Sequence, residues 1–376
     1  MRVLFSGGAS GGHVNPALAI ADIIKANYPD SEIAFVGTPY GIENSIVPQA
    51  GYKLYKIKIE GVNGKKGLGK LKAYARAFTA QFSAKRVIKE FKPDIVIGTG
   101  GYACWPALKA AVEARIPTML HESNSMPGMA VRKLQNDVDV IMTNFESTRD
   151  NLNPTANVVK VGNPVRSQGL TLTRESARER LGIDAEKFVV LSFGGSLGAE
   201  CLNDVALEYM KNFSALHENV LAYHVGGKNY YEDAKRKLED NKLLEDGKNT
   251  LISFTNELLV YMAAADVVIC RAGAMTLTEV ARMGKATVII PSVNVTDGHQ
   301  YKNAKSLADG GAAIMVEESE LKNGAKVSEL LERLYSDADL RAEMSARIKD
   351  FADEDVEKNI LQNIRTLLDS YKKIVK

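Results

Sequence analysis

The chain has 376 residues, 45% of them hydrophobic and 25% charged, with a formal net charge of +2. This is ordinary globular composition, which excludes disorder, collagen and coiled coil, and the charge is too small for a protein coated along its surface by nucleic acid. The length predicts two domains of roughly 150 residues or more each. Three widely spaced cysteines, Cys104, Cys201 and Cys270, form no CxxC pair and suit a reducing compartment. No apolar run approaches the roughly 18 residues of a membrane helix. The apolar start at Val3-Leu4-Phe5 is too short for a signal peptide. The chain therefore reads as cytosolic, with peripheral membrane contact left open.

In chain order, short β-branched runs predict strands at Val3–Ser6, Glu32–Val36, Asp94–Ile97, Pro117–Leu120, Val138–Met142 and Asn157–Val161. A second series follows at Phe188–Phe193, Val220–Val225, Leu251–Phe254, Asp266–Cys270 and Ala286–Ile290. Most are apolar throughout, as parallel strands covered on both faces are. Helical patterns lie between them, and Asn15-Pro16 predicts one helix start, with Asn as N-cap and Pro at the first helical position. The βαβα order predicts an α/β fold of two Rossmann-like, doubly wound parallel sheets. A polar stretch, Ser167 to Lys187, follows Gly162-Asn163-Pro164 and sets the expected domains at 1–163 and 164–353. Val356, Ile360, Ile364, Leu367, Leu368 and Tyr371 then mark a terminal amphipathic helix over about 354–376.

Four glycine-rich turns each follow a strand: Gly7 to His13, Gly98 to Tyr102, Gly194 to Ala199, and Arg271 to Thr276. Open α/β sheets bind ligands at the carboxyl ends of their strands, and glycine turns bring free backbone N–H groups close to phosphate. Shared between both halves, these turns predict a cleft lined for an anionic ligand. Two similar patterns compete. Gly98-Thr-Gly100-Gly-Tyr-Ala103 fits a dinucleotide fingerprint, with Glu122 about 20 residues on, but Pro106 falls within the expected helix start. Gly64 to Lys70 approaches a phosphate-binding P-loop, but Leu71 stands where Ser or Thr must hold Mg²⁺.

Between Gly61 and Pro93 the chain carries nine Lys or Arg, Lys70 and Lys72 among them, and one acid, Glu90. Leu68, Leu71, Ala75, Phe78 and Phe82 repeat through this segment at helical spacing. A basic amphipathic helix of this kind suits an anionic membrane surface. Alternatively, it packs its apolar face on the sheet and its charges meet water.

The four turns, with His121-Glu122-Ser123-Asn124, Gly162 to Arg166, Arg271 to Glu279 and Asp297 to Asn303 in this order, resemble the MurG family of bacterial N-acetylglucosaminyltransferases, glycosyltransferase family 28. The resemblance runs from Arg2 to about Glu317. It implies the GT-B architecture, with two Rossmann-like domains and a terminal helix returning to the first. It implies inverting transfer of GlcNAc from UDP-GlcNAc to the 4-hydroxyl of MurNAc in lipid I, giving lipid II for peptidoglycan. The N-terminal domain would take the acceptor and meet the membrane; the C-terminal one would bind the donor. The implied partners are UDP-GlcNAc, lipid I and the anionic cytoplasmic face of the membrane, with other cell-wall synthesis proteins left open and no nucleic acid. No essential cofactor is implied, because helix N-termini can take the pyrophosphate, and no metal-ligand cluster is visible; Mg²⁺ stimulation is left open.

Inversion needs one base and stabilisation of the departing UDP. His13, at the end of the first turn, is the candidate catalytic base, with hydrogen bonding to a neighbour or a pyrophosphate as its alternative. Ser10, Gly11 and Gly12 would face a pyrophosphate, and Gly100, Gly101 and Tyr102 would line the acceptor side. By the resemblance, Ser196 bonds a phosphate and Phe254-Thr255 holds the uracil. Ala274, Met275 and Thr276 present backbone groups to the phosphates, with Arg271 as cationic support or a surface charge. Glu279 accepts the ribose hydroxyls, although Thr276-Leu-Thr-Glu279 also reads as a capping box and Phe254 as an ordinary core residue. Gln300 and Asn303 suit sugar hydroxyls, and Asn124 and Arg166 carry over as donor contacts. His121 reads as a satisfied strand-end residue; His217 and His224 show no supporting neighbours. Another GT-B lipid glycosyltransferase, a UDP-GlcNAc 2-epimerase and an NAD-binding enzyme are the competing readings.

Overall fold

A computed structural model describes residues 1–8, 10–59, 68–166, 172–195, 198–295, 298–323 and 325–374; at 68–75, 77, 78, 322, 323 and 374 it describes the backbone alone. The chain forms two compact units, Met1–Arg166 with Asp353–Lys376, and Ser167–Ala352.

In the first unit seven parallel strands are β1 (Arg2–Gly7), β2 (Glu32–Gly37), β3 (Lys53–Lys56), β4 (Ile95–Gly100), β5 (Thr118–Glu122), β6 (Val140–Thr143) and β7 (Val158–Lys160). Their order is β3-β2-β1-β4-β5-β6-β7. The crossovers are helical: α1 (Gly11–Asn27), α2 (Glu43–Gln49), α3 (Leu68–Phe91), α4 (Cys104–Glu113) and α5 (Met129–Leu134). Alternation along β1 feeds two cores. Leu4 packs with α3 and α4 residues such as Ala84, Val87 and Leu108. Val3 and Phe5 pack with α1. The second unit has six parallel strands, β8 (Phe188–Phe193), β9 (Val220–Val225), β10 (Asn249–Ile252), β11 (Val267–Cys270), β12 (Ala286–Ile289) and β13 (Ile314–Met315), in the order β10-β9-β8-β11-β12-β13. Its helices are α6 (Arg174–Leu181), α7 (Glu200–Asn212), α8 (Tyr231–Asp240), α9 (Leu258–Ala264), α10 (Ala274–Arg282), α11 (His299–Asp309), α12 (Lys326–Ser336) and α13 (Ala338–Lys349). The last helix, α14 (Val356–Ile374), lies in the first unit, where Val356, Ile360 and Ile364 join Val3, Phe5 and Leu18 in one core.

Several local expectations change. β3 was not expected: Lys-Leu-Tyr-Lys is a polar edge strand, without the apolar run that marks a covered one. β13, two residues long, is below what periodicity can detect. The helix start expected at Asn15-Pro16 lies earlier, with Ser10 as N-cap and Gly11 as first helical residue, so Pro16 sits inside α1. The polar stretch after Ser167 contains α6, which Thr173 and Ser176 close with a capping box. Buried Arg178 anchors it, donating to Asp266 (2.8 Å) and to the carbonyls of Ala264, Ala185 and Lys187. A buried arginine reads as a surface charge in sequence.

Candidate active site

The strand orders explain the four glycine turns. Each sheet reverses its winding once, between β1 and β4 in one unit and between β8 and β11 in the other. The first and second turns follow β1 and β4; the third and fourth follow β8 and β11. Each pair therefore flanks a switch point, where such sheets open a crevice for ligands.

In the first unit the turn after β1 runs straight into α1. No acid occupies the first turn of α1, and the N–H groups of Gly11 and Gly12 precede the first intrahelical bond, made by His13 and Val14 to the Ser10 carbonyl. His13 is half-buried in that first turn. Its Nδ1 lies 3.0 Å from the Gly8 carbonyl oxygen and 3.2 Å from Ser10 Oγ. A carbonyl only accepts, so the Gly8 contact assigns the proton to Nδ1 and makes Nε2 the basic nitrogen. Thr99, at the end of β4, donates through Oγ1 to the His13 carbonyl at 2.6 Å. Gly100, at φ +103°, lies against the imidazole: a Cβ there would stand 2.5 Å from Cδ2 and 2.8 Å from Nε2. Gly101 closes on Gly8, and the Tyr102 ring is exposed beside them. Thus Ser10, Gly11, Gly12, His13, Gly100, Gly101 and Tyr102 come together.

Asn124 and Arg166 belong to the same unit but are engaged. Asn124 donates through its backbone N and its Nδ2 to Glu122 Oε1, at 3.0 and 3.1 Å. Gly128 N donates to Glu122 Oε2 at 2.7 Å. Glu122 is thereby committed to the loop, which removes the acid that a dinucleotide site would need. Arg166 Nε donates to Asp22 at 2.8 Å, and the Tyr52 hydroxyl donates to the other oxygen of Asp22 at 3.1 Å. His121 is buried and satisfied: Nε2 donates to the Gly162 carbonyl (3.0 Å), and burial pushes its pKa down to about 4.

In the second unit, α10 starts at Ala274, and its N-cap Gly273 makes no side-chain cap hydrogen bond. Ala274, Met275 and Thr276 form that turn, so Glu279 lies in the second turn and the expected capping box does not form. No hydrogen bond of the Glu279 carboxyl is seen among the described residues, and it is half-buried on α10. Desolvation raises its pKa to about 7. Asn303, fully buried on α11, donates Nδ2 to the Ala272 carbonyl at 3.2 Å and so braces the loop leading into α10. Gln300 accepts from Ser292 N through Oε1 at 2.9 Å. Arg271 is mostly buried rather than a surface charge: Nη1 reaches Glu318 at 2.6 Å and the Ile290 carbonyl at 3.1 Å.

Thr255 Oγ1 accepts from Glu257 N at 2.9 Å. Phe254 is no core residue; it is 42% exposed, with Lys228 Nζ 4.3 Å from its ring centre. Ser196 lies outside the described residues. His217 and His224 do have partners: His217 meets Glu332 (2.8 Å) and the rings of Phe213 and Tyr335. His224 bonds Ser192 Oγ (2.7 Å) and Asn203 Oδ1 (2.8 Å), inside the sheet. The three cysteines are free thiols. Among the described residues no cluster of three or more His, Cys, Asp or Glu could hold a metal.

The basic helix α3 is continuous from Leu68 to Phe91. Ala80, Ala84, Val87, Ile88 and Phe91 enter the core. Phe82 falls about half a turn away and is 55% exposed, with Lys85 5.8 Å from its ring centre. The side chains of Leu68, Lys70, Leu71, Lys72 and Phe78 lie outside those described. Among the described residues no helix is long and apolar enough to cross a membrane.

Residues 3–143 match the glycosyltransferase family 28 N-terminal domain, and residues 189–360 match the glycosyltransferase family 28 C-terminal domain. The chain belongs to glycosyltransferase family 28. It is 38% identical to the UDP-N-acetylglucosamine–N-acetylmuramyl-(pentapeptide) pyrophosphoryl-undecaprenol N-acetylglucosamine transferase of Caldanaerobacter subterraneus, over 98% of this chain and all of that one. The crystal structure of Acinetobacter baumannii MurG superposes with a TM-score of 0.74 at 29% identity, covering 97% of this chain and 99% of that one. A UDP-GlcNAc 2-epimerase from Neisseria meningitidis, bound to UDP-GlcNAc, superposes at 0.69 with 16% identity, covering 97% of this chain and all of that one; that likeness extends to the fold alone. This family 28 member is a glycosyltransferase of the GT-B fold, two units each built on a parallel sheet.

Proposed function

We propose that this enzyme transfers GlcNAc from UDP-GlcNAc to the 4-hydroxyl of the MurNAc unit of lipid I, with inversion, releasing UDP and forming lipid II. The near-full-length identity to a transferase of that name carries the reading. Local geometry supports the following roles. His13 Nε2 takes the proton of the attacking hydroxyl, its tautomer held by Gly8 and Ser10. The N-terminus of α1 receives the acceptor's pyrophosphate. In the second unit the first turn of α10, with Ala274, Met275 and Thr276, stabilises the charge that develops on the departing diphosphate. The Glu279 carboxyl accepts the ribose hydroxyls, Phe254-Thr255 takes the uracil, and Ser196 bonds a phosphate. Gln300 offers its amide nitrogen to the sugar, while Asn303 acts through the loop it braces. Asn124 and Arg166 serve the donor only after exchanging their present partners.

Helix N-termini carry the anionic load in this mechanism, which uses no essential metal. The exposed side of α3, with Phe82 and the surrounding lysines, meets the anionic cytoplasmic face of the membrane, where the lipid acceptor resides. Domain roles follow: acceptor and membrane in the first unit, donor in the second. The test is His13→Ala in the full chain. Transfer is expected to fall by at least 10² while UDP binding stays within twofold; wild-type transfer by this variant would remove His13 as the base.

A further inference from the structure

The first glycine turn has a second anchor, Glu43. Glu43, at the start of α2, is fully buried. Its Oε1 accepts from Thr38 N at 2.7 Å and from Thr38 Oγ1 at 2.8 Å. Gly41 N donates to Thr38 Oγ1 at 3.1 Å, and Asn44 Nδ2 donates to the carbonyls of Thr38 and Gly41 at 2.6 and 3.0 Å. Three glycines from three segments close on this one carboxyl. A Cβ on Gly37, ending β2, would lie 2.5 Å from Glu43 Cγ, and one on Gly41 would lie 2.0 Å from Oε2. A Cβ on Gly8 would lie 2.6 Å from Oε1, and the three atoms it would meet first all belong to Glu43.

A residue needed only to fill space would be apolar, because a buried carboxyl is costly unless each oxygen is well placed. This carboxyl instead abuts the one peptide whose carbonyl fixes the His13 ring. Glu43 presses on the Cα side of Gly8, and His13 Nδ1 bonds the Gly8 oxygen at 3.0 Å. A shift of the Gly8 peptide would move the base, and a misplacement of about 1 Å can cost 10² in rate.

We infer that Glu43 is a positioning residue for the transfer reaction: its buried carboxyl, enclosed by Gly8, Gly37 and Gly41, sets the Gly8 peptide and through it the orientation and tautomer of His13. This rests on His13 as the base. Glu43 touches no reacting atom, and its effect is on the chemical step rather than on donor binding, which belongs to the other unit.

The test uses the full chain, UDP-GlcNAc and a short-chain lipid I analogue. Glu43→Gln keeps the size but replaces Oε2 by an amide. It is expected to lower kcat at least tenfold, leave KM for UDP-GlcNAc and the Kd of UDP within twofold, and change the ¹⁵N signature of the His13 ring from the Nδ1–H form. Combined with His13→Ala, it should be no slower than His13→Ala alone. Wild-type kcat in a folded Glu43→Gln, or a lower kcat with an unchanged His13 signature, overturns the inference while leaving the base intact. Wild-type turnover by His13→Ala overturns both. If Glu43→Gln does not fold, Gly8→Ala presses on the same carboxyl from the loop side, and the same readouts decide.

Discussion

Gly100 and His13 share one space: a Cβ on Gly100 would stand 2.5 Å from Cδ2 of the His13 ring, and the backbone of Gly100 is at φ +103°. Two turns far apart in sequence thus meet because β1 and β4 are neighbours, with Gly7 paired to Gly100 beyond a register shift. Gly100→Ala should therefore displace the imidazole and strain the turn together. Transfer is expected to fall by about 10² or more, with UDP affinity within twofold by calorimetry. An unchanged kcat would mean that the ring is free to move aside without consequence.

Glu279 should link donor binding to pH. Its folded-state pKa is raised to about 7 by desolvation, so the carboxylate form, which under the proposed function accepts hydrogen bonds from the ribose hydroxyls, is lost as pH falls through 7. UDP affinity should weaken from pH 8 to pH 6, and Glu279→Gln should bind weakly at both. Stability moves the opposite way. Between 4.5 and 7 the folded chain holds a proton that the unfolded chain has released, so stability falls as pH rises through this window. Glu279→Gln should then raise Tm at pH 8 and leave it unchanged at pH 4; a lower Tm at pH 8 would show that the carboxyl has a stabilising partner.

His121 and His224 give the reverse dependence. Burial lowers each to about 4, below the ordinary value of about 6.5. The unfolded chain therefore takes up protons first as pH falls, and the stability present above 6.5 is lost down to 4, by at most about 3 kcal/mol per group. His224 is held by Ser192 and Asn203, so His224→Leu should cost stability at pH 7 by removing the partner of the Asn203 amide oxygen and leaving the Ser192 hydroxyl with Tyr209. It should also flatten the slope of unfolding free energy between pH 6.5 and 4. Urea melts across that range check both.

Phe82 tests the proposed membrane face. Phe82→Ser removes an exposed ring from a side of α3 that does not enter the core. Co-sedimentation with phosphatidylglycerol vesicles should weaken severalfold, and Tm should stay within 1–2 °C, as for surface changes in general. Equal vesicle binding by the two proteins would place the contact elsewhere.

Much of this was legible in sequence because apolar runs and glycine turns are local signals. The strands Phe188–Phe193 and Val220–Val225 match to the residue, and the glycine turns mark the strand ends that flank both switch points. What stayed hidden depends on partners distant in sequence. Arg271 looked available to phosphate, but Glu318 and the Ile290 carbonyl occupy it. Asn303 looked like a sugar ligand, yet it is buried beneath Ala272. The alternative reading of Phe254 as core fails because the ring is exposed, and Glu43 carried no signal, since a lone Glu at a helix start reads as solvated. Pro16 misplaced a helix start because a proline at the first position and one a turn later look alike in sequence.

The most direct measurement is stereochemical. The purified chain is mixed with ¹³C-labelled UDP-GlcNAc and a lipid I analogue, and the anomeric carbon of the labelled sugar is followed by NMR. The account predicts one UDP released per GlcNAc transferred and a β-linked disaccharide on the lipid. An α-linked product, conversion of the sugar nucleotide without transfer, or bound donor with no product would contradict it.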